Sequence, residues 1–284
     1  MEAIFIPCSI DGIAFKRVRI RKSGPITEVR KFEFYNKEMP IIKLEGLKYI
    51  VKSTGEVLEM NRTENRSDNL SSLSISFSNL RSLINKHFTG RKNEIWITLT
   101  YRENMQDLNQ LYFDRKKFWK KVQYKYPYLN LQYISIVEPQ ERGAWHMHEL
   151  WKSNILSYKS MALFIKQSDL LALWGHGSVF VKRLKCGDNI GAYVSAYLSN
   201  MPDNGKGTEG SKKWVKGARL AFYPPHFRLY RSSRGLKASG WYDARDNEVS
   251  AIEANKANYE RLDGIYKVGE RVQSIYYAQY KNNS

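Results

Sequence analysis

Residues 131–151 read LQYISIVEPQERGAWHMHELW. Two runs rich in β-branched and aromatic residues, Leu131–Val137 and Trp145–Trp151, flank the turn sequence Pro139-Gln-Glu-Arg-Gly143. The pattern predicts a β-hairpin. Residues i and i+2 of a strand point to one side, so His146 and His148 present both imidazoles to the same surface. If the hairpin folds symmetrically about Arg142, Glu138 lies across from His146 on that face. Trp145 and Met147 then face the opposite side, into the core.

The reading extends outward in both directions. Upstream, Ile95-Trp-Ile-Thr-Leu-Thr-Tyr101 is a buried strand, and Asp107–Lys125 is an amphipathic helix. Its Leu111, Phe118 and Val122 are expected toward the core, with Arg115, Lys116, Lys120 and Lys121 outward. Downstream come a helix from Ser160 to Leu173 closed by Gly175, a strand from Ser178 to Leu184, and a short helix from Asn189 to Leu198. The order β-α-β-β-α-β is that of the ferredoxin-like split βαβ. It predicts an α+β fold with a central antiparallel sheet and helices on one face. The catalytic domain is expected over 76–236, between a basic N-terminal segment, 1–75, and a C-terminal helical segment, 237–284. In these basic flanks, Ala14–Lys22 has the alternation of an edge strand with a cationic face, and Glu248–Arg261 reads as a helix. Nearer the core pattern, Asn79–Phe88 reads as a helix stopping at Gly90, Pro202–Lys213 as a mobile loop, and Arg219–Arg231 as a strand interrupted by Pro224-Pro225.

The 284 residues carry a net charge of +18, with a pI near 9.7. That excess favours a polyanionic partner, because each cation that neutralises a phosphate releases a condensed counterion. Membrane surfaces and ribosomal RNA are polyanions too, so charge alone does not choose. No apolar run approaches the roughly 18 residues of a spanning helix, and Met1 to Phe15 lacks a signal-peptide pattern. The expectation is a cytoplasmic protein with no membrane partner. Two cysteines, Cys8 and Cys186, exclude a disulfide framework and a four-thiolate zinc site. No G-x-x-x-x-G-K-[ST] motif is present, so no P-loop ATPase is encoded.

Neutral imidazole is a good ligand for divalent transition metals, and Glu138 completes a third ligand beside His146 and His148. Such a site leaves positions open for phosphate oxygens and can polarise a scissile phosphate. A lone H-x-H in a strand is more often a half-exposed polar pair; the apolar-rich flanks and the matching glutamate weigh for the metal. Tyr193 and Tyr197, four apart on the short helix, share one face. A tyrosine can attack a phosphodiester and store the bond energy as a phosphotyrosine, although the same spacing also makes a packing stripe. Thr98 and Thr100 share a strand face that can border the site. Lys182, Arg183, Lys185 and the cluster Arg228, Arg231 and Arg234 are candidates for DNA phosphates, or a solvated edge.

Three stretches together resemble the HUH endonucleases: ITLTYRENM (97–105), EPQERGAWHMH (138–148) and DNIGAYVSAYL (188–198). More narrowly, they resemble the rolling-circle replication initiators of plasmids, phages and mobile elements of low-GC Gram-positive bacteria. Tyr223 to Gly235 is also similar to such proteins, so the likeness covers about 90–236. The resemblance implies Mn²⁺- or Mg²⁺-dependent nicking of origin DNA, single-stranded or hairpin. It implies a 5′-phosphotyrosine intermediate, religation, and a host helicase for unwinding. Many relatives carry a lysine three residues after a catalytic tyrosine; here Ala196 and Asn200 stand there, so the order of attack of Tyr193 and Tyr197 stays open. Relaxases and single-strand transposases share this chemistry. The contrasting class is a non-catalytic nucleic-acid-binding protein.

Overall fold

The structure is a computed structural model that describes residues 13–33, 41–59, 70–140, 143–154, 165–184, 191, 223–268 and 271–281. The chain divides into two compact units, Met1–Thr63 with Gly240–Ser284, and Glu64–Ser239. The first begins with strands β1 (Arg17–Ser23) and β2 (Ile26–Phe32), joined at Gly24, whose φ of 58° suits a tight hairpin turn. A three-stranded antiparallel meander follows: β3 (Ile41–Lys43), β4 (Lys48–Val51) and β5 (Val57–Glu59).

The second unit contains α1 (Leu70–His87), β6 (Glu94–Leu99), α2 (Leu108–Lys125), β7 (Leu131–Pro139), β8 (Trp145–Ser153), α3 (Gln167–Trp174), β9 (Val179–Arg183) and β10 (Tyr230–Ser232). The sheet order is β10-β7-β8-β6-β9, and every neighbouring pair is antiparallel. The crossover through α2 leaves β8 between β6 and β7, and that through α3 leaves β6 between β8 and β9. The fold is α+β with the split βαβ strand order. Asp107 caps α2, its carboxylate accepting the N–H groups of Asn109 and Gln110 at 2.8 and 3.2 Å. Gly175 ends α3 with φ 72°.

Alternation along β6 and β8 gives the sheet two different faces. Ile95, Ile97, Leu99, Met147, Glu149 and Trp151 lie toward α2, where the rings of Phe118 and Trp151 stand 5.8 Å apart. The other face carries Trp96, Thr98, His146 and His148. The end of α1 belongs to this second face. The Glu94 carboxylate accepts three backbone N–H groups just past the helix, at Thr89, Gly90 and Arg91, and Lys152 lies 5.8 Å over the Phe88 ring. Helices thus contact both faces, not one as expected.

The remainder of the first unit is β11 (Tyr242–Asp243), α4 (Asp246–Glu253), β12 (Tyr259–Val268) and β13 (Arg271–Lys281). Its sheet order is β11-β1-β2-β13-β12, with Ile20, Val29, Tyr276, Ala278 and Tyr280 in a core with Val249 of α4.

Several expectations are corrected. Arg115 is buried rather than outward, because its stripe of α2 faces the sheet where Glu149 waits; its Nε donates to Glu149 Oε1 at 2.8 Å. The helix read over Glu248–Arg261 is α4 alone, since the chain from Tyr259 pairs with β13. β1 is not an edge strand, because β11 pairs with its outer side. The helix ending at His87 starts at Leu70, well before Asn79. Of the interrupted strand over Arg219–Arg231, the described part is strand only from Tyr230. The loop 202–213 and the short helix, except Gly191, lie outside the described residues. Among the described residues, no helix is long and apolar enough to cross a membrane.

Candidate metal centre

The hairpin of β7 and β8 pairs Glu138 directly with His146, as its symmetry about Arg142 predicts. Glu138, His146 and His148 converge, each offering a ligand atom within 4.8 Å of the others. His148 Nε2 lies 3.0 Å from Glu138 Oε2 and 3.0 Å from His146 Nε2; His146 Nε2 is 3.4 Å from the same carboxylate oxygen. The imidazole planes stand at 87°, so the two nitrogens meet without the rings stacking. Trp145 and Met147 are buried on the opposite face.

Electrostatics prepare these groups for a cation. Burial disfavours the charged form of Glu138, but hydrogen bonds and charge from His146 and His148 together outweigh it and hold the carboxyl down at about 2. Burial pulls His148 below its ordinary 6.5 despite the Glu138 carboxylate, with His146 and Lys182 adding to the depression. An ionised carboxylate beside a neutral imidazole is the protonation state that a metal requires. Two nitrogens and one oxygen fit a divalent transition ion and leave coordination positions open.

A neighbouring strand orients one ligand. The Trp96 indole N–H donates to Thr98 Oγ1 at 3.0 Å, and Thr98 Oγ1 lies 3.2 Å from His148 Nδ1. With Nε2 given to a metal, Nδ1 carries the proton and donates it to Thr98, which fixes the tautomer. His146 differs: its Nδ1 is buried with no hydrogen-bond partner among the described residues. Trp96 has no place among the site residues read from the sequence. Its alternation with Thr98 on β6 is the signal that could have found it, since positions 96 and 98 share a face.

The other candidates are spread more widely. Lys182 of β9 is on the triad's face, opposite Trp96 in register, with its ammonium 4.9 Å over that indole. Arg183 is on the reverse face and donates to the Lys92 carbonyl at 3.2 Å. Thr100 lies past the end of β6, where its hydroxyl meets Ser178 Oγ at 2.5 Å rather than the triad. Arg231 pairs in register with Ser135, on the α2 side, and stacks 4.0 Å over the Tyr112 ring. Arg228 and Arg234 are exposed. Lys185, Tyr193 and Tyr197 lie outside the described residues. Two positions before Tyr193, Gly191 is seated against α1, its N–H donating to Asn85 Oδ1 at 2.9 Å. A Cβ at Gly191 would stand 2.6 Å from the Arg81 carbonyl oxygen, so only glycine allows this approach.

The chain from β6 onward can be set beside known families. Residues 94–202 match the family model of the replication-associated protein ORF2. No curated protein and no solved structure matches the chain. The family match starts at the first residue of β6 and contains the whole triad, Thr98, Lys182, Gly191, Tyr193 and Tyr197.

Proposed function

We propose that this chain is a rolling-circle replication initiator that nicks and rejoins origin DNA, single-stranded or hairpin, through a tyrosine. The observation that carries the reading is the convergence of Glu138, His146 and His148 inside the segment matched by the replication-associated protein family. Those three residues would hold the metal, Mn²⁺ or Mg²⁺. When bound, such an ion supplies Lewis-acid polarisation of a phosphate oxygen.

The protein's own residues account for the rest. Thr98, held by Trp96, keeps the His148 ring in one orientation. Lys182 brings a cation to the same face, where a phosphate would lie. Tyr193 or Tyr197 supplies the nucleophile. Its oxygen bonds to phosphorus as the P–O3′ bond breaks; the 5′ phosphate stays on the tyrosine and the 3′ oxygen leaves as a hydroxyl. Religation is the reverse attack by a 3′ hydroxyl. Gly191, seated on α1 at the triad's side of the sheet, supports the placement of the tyrosine segment. Unwinding falls to a separate helicase.

The test is formation of a covalent protein–DNA adduct. The full chain is incubated with Mn²⁺ and single-stranded origin oligonucleotides, then resolved under denaturing conditions. An adduct that requires the metal and disappears in His148→Ala supports the reading. Duplex and single-strand binding with no adduct and no nick would make the chain a non-catalytic binder.

A further inference from the structure

The first unit has its own concentration of cations. In its five-stranded sheet, Arg19 pairs with Arg30 across β1 and β2, Arg30 with Tyr277 across β2 and β13, and Tyr277 with Arg261 across β13 and β12. These four positions form one row perpendicular to the strands. At about 4.8 Å per strand, Arg19 and Arg261 are roughly 14 Å apart along it. The alternate positions of the same strands hold Ile20, Val29, Tyr276 and Ala278, which form the core with α4. The row therefore occupies the face turned away from that core.

Like charges directly opposite one another destabilise a sheet. The nearby carboxylates do little to relieve this row, because they are engaged elsewhere. Glu28 takes both bonds of Arg21, at 2.6 and 2.8 Å, and accepts the Tyr277 hydroxyl at 2.6 Å. Asp243 is held by Arg17 at 2.5 and 3.0 Å and stands 4.0 Å from Arg19. Arg30 instead rests on aromatic rings, 4.4 Å from the Trp241 centroid and 5.7 Å from that of Tyr277. Burial, and then the charge of Arg21, lower its pKa, yet a guanidinium stays charged. Arg19 keeps 34% of its side-chain surface, and Arg261 and Tyr259 are exposed.

We propose that this arginine row is a second nucleic-acid contact, which grips the phosphate backbone of a DNA strand. A polyanion removes the repulsion that the fold otherwise carries. Guanidinium planes stacked on rings are already ordered for two-pronged bonds to phosphate. The contact does not depend on the metal chemistry; only the choice of DNA as the nucleic acid rests on the replication reading.

The experiment measures binding of the full chain to a fluorescent single-stranded oligonucleotide across a salt series, in a His148→Ala background so that nicking plays no part. Each lost phosphate contact should flatten the slope of log Kobs against log salt by about 0.7 on single strands. Arg19→Gln with Arg30→Gln should flatten it by about 1.4, while Arg30→Lys, which keeps the charge, should not. Without DNA the double variant should melt no lower than its parent, since a like-charge pair is relieved. If it fails to fold, Arg261→Gln alone should flatten the slope by about 0.7. An unchanged slope in folded variants, or no DNA binding by the parent, overturns the proposal. So does a loss of binding to anionic lipid vesicles with DNA binding untouched. Absence of nicking by the unmutated chain, with the slope change intact, would sink the catalytic reading and leave this one standing.

Discussion

Thr98 Oγ1 sits between the Trp96 indole N–H, 3.0 Å away, and His148 Nδ1, 3.2 Å away. β6 thus controls the ring orientation of a ligand that belongs to β8. The bond is one residue pair across the sheet, because Thr98 and His148 are partners in register. Thr98→Val keeps the shape and removes the acceptor. Loss of such an outer-shell partner costs about 10–100-fold in metal affinity, and Thr98→Ser should restore most of it. Mn²⁺ titration followed by electron paramagnetic resonance reads the affinity directly. Equal affinity in the valine variant would reduce Thr98 to packing.

The triad should also report itself in stability. A ligand bound to the folded state alone stabilises by about 2.7 kcal/mol at a concentration 100 times its Kd. Mn²⁺ should therefore raise the melting temperature of the chain, and should do so far less in Glu138→Gln or His146→Ala. The same variants should lose the DNA adduct while keeping affinity for duplex origin. Identical metal-induced shifts in the parent and both variants would place the metal elsewhere.

Acid should oppose metal binding. His148 is depressed below 6.5 and Glu138 is held at about 2, so both ligands are metal-ready at neutral pH. The sign follows from these depressions: protons compete more strongly as pH falls, and binding is lost on the acid side, never gained. The loss should begin with the imidazoles, its midpoint lying below 6.5, while Glu138 remains ionised. In the metal-free protein, the same depressed values withdraw stability as pH falls, because the unfolded chain takes up these protons first. A Kd for Mn²⁺ that is flat from about pH 7.5 to about 5 would show that neither histidine is a ligand.

On the reverse face, Arg115 and Glu149 form a buried ion pair, with Trp151 Nε1 donating to the same carboxylate at 2.5 Å. Removing one partner strands a buried charge. Arg115→Met or Glu149→Leu should each cost about 3–5 kcal/mol in urea unfolding, and the double replacement much less than their sum. Additive losses would show that the two side chains act independently.

Tyr193 and Tyr197 are separated by mutation. Replacing both with Phe keeps the rings and removes the attacking oxygens, so folding should survive and the adduct should vanish. If Tyr193→Phe alone abolishes the adduct and Tyr197→Phe does not, one nucleophile suffices. If each single variant cuts but neither completes termination, the two alternate. A covalent complex in the double variant would send the search to the other tyrosines.

The sequence alone determined the second unit's strand order and the triad. Both rest on local rules: period-two alternation places His146 and His148 on one side, and a short turn sets the register that brings Glu138 opposite His146. Asp107 and Gly175 marked helix ends for the same reason, since caps are formed by the chain immediately around them. Tertiary structure decided what depends on distant partners. Arg115 reads as a surface cation on a helical wheel, and becomes a core residue only because Glu149, 34 positions away, faces it. Thr98 reads as an ordinary strand threonine until Trp96 and His148 close around it. The clearest case is the meeting of the chain's two ends, where Tyr277 reaches Glu28 across 249 positions and β13 lies beside β2. No local pattern marks that pairing, because a strand's alternation specifies which face is apolar and leaves open which strand lies next to it.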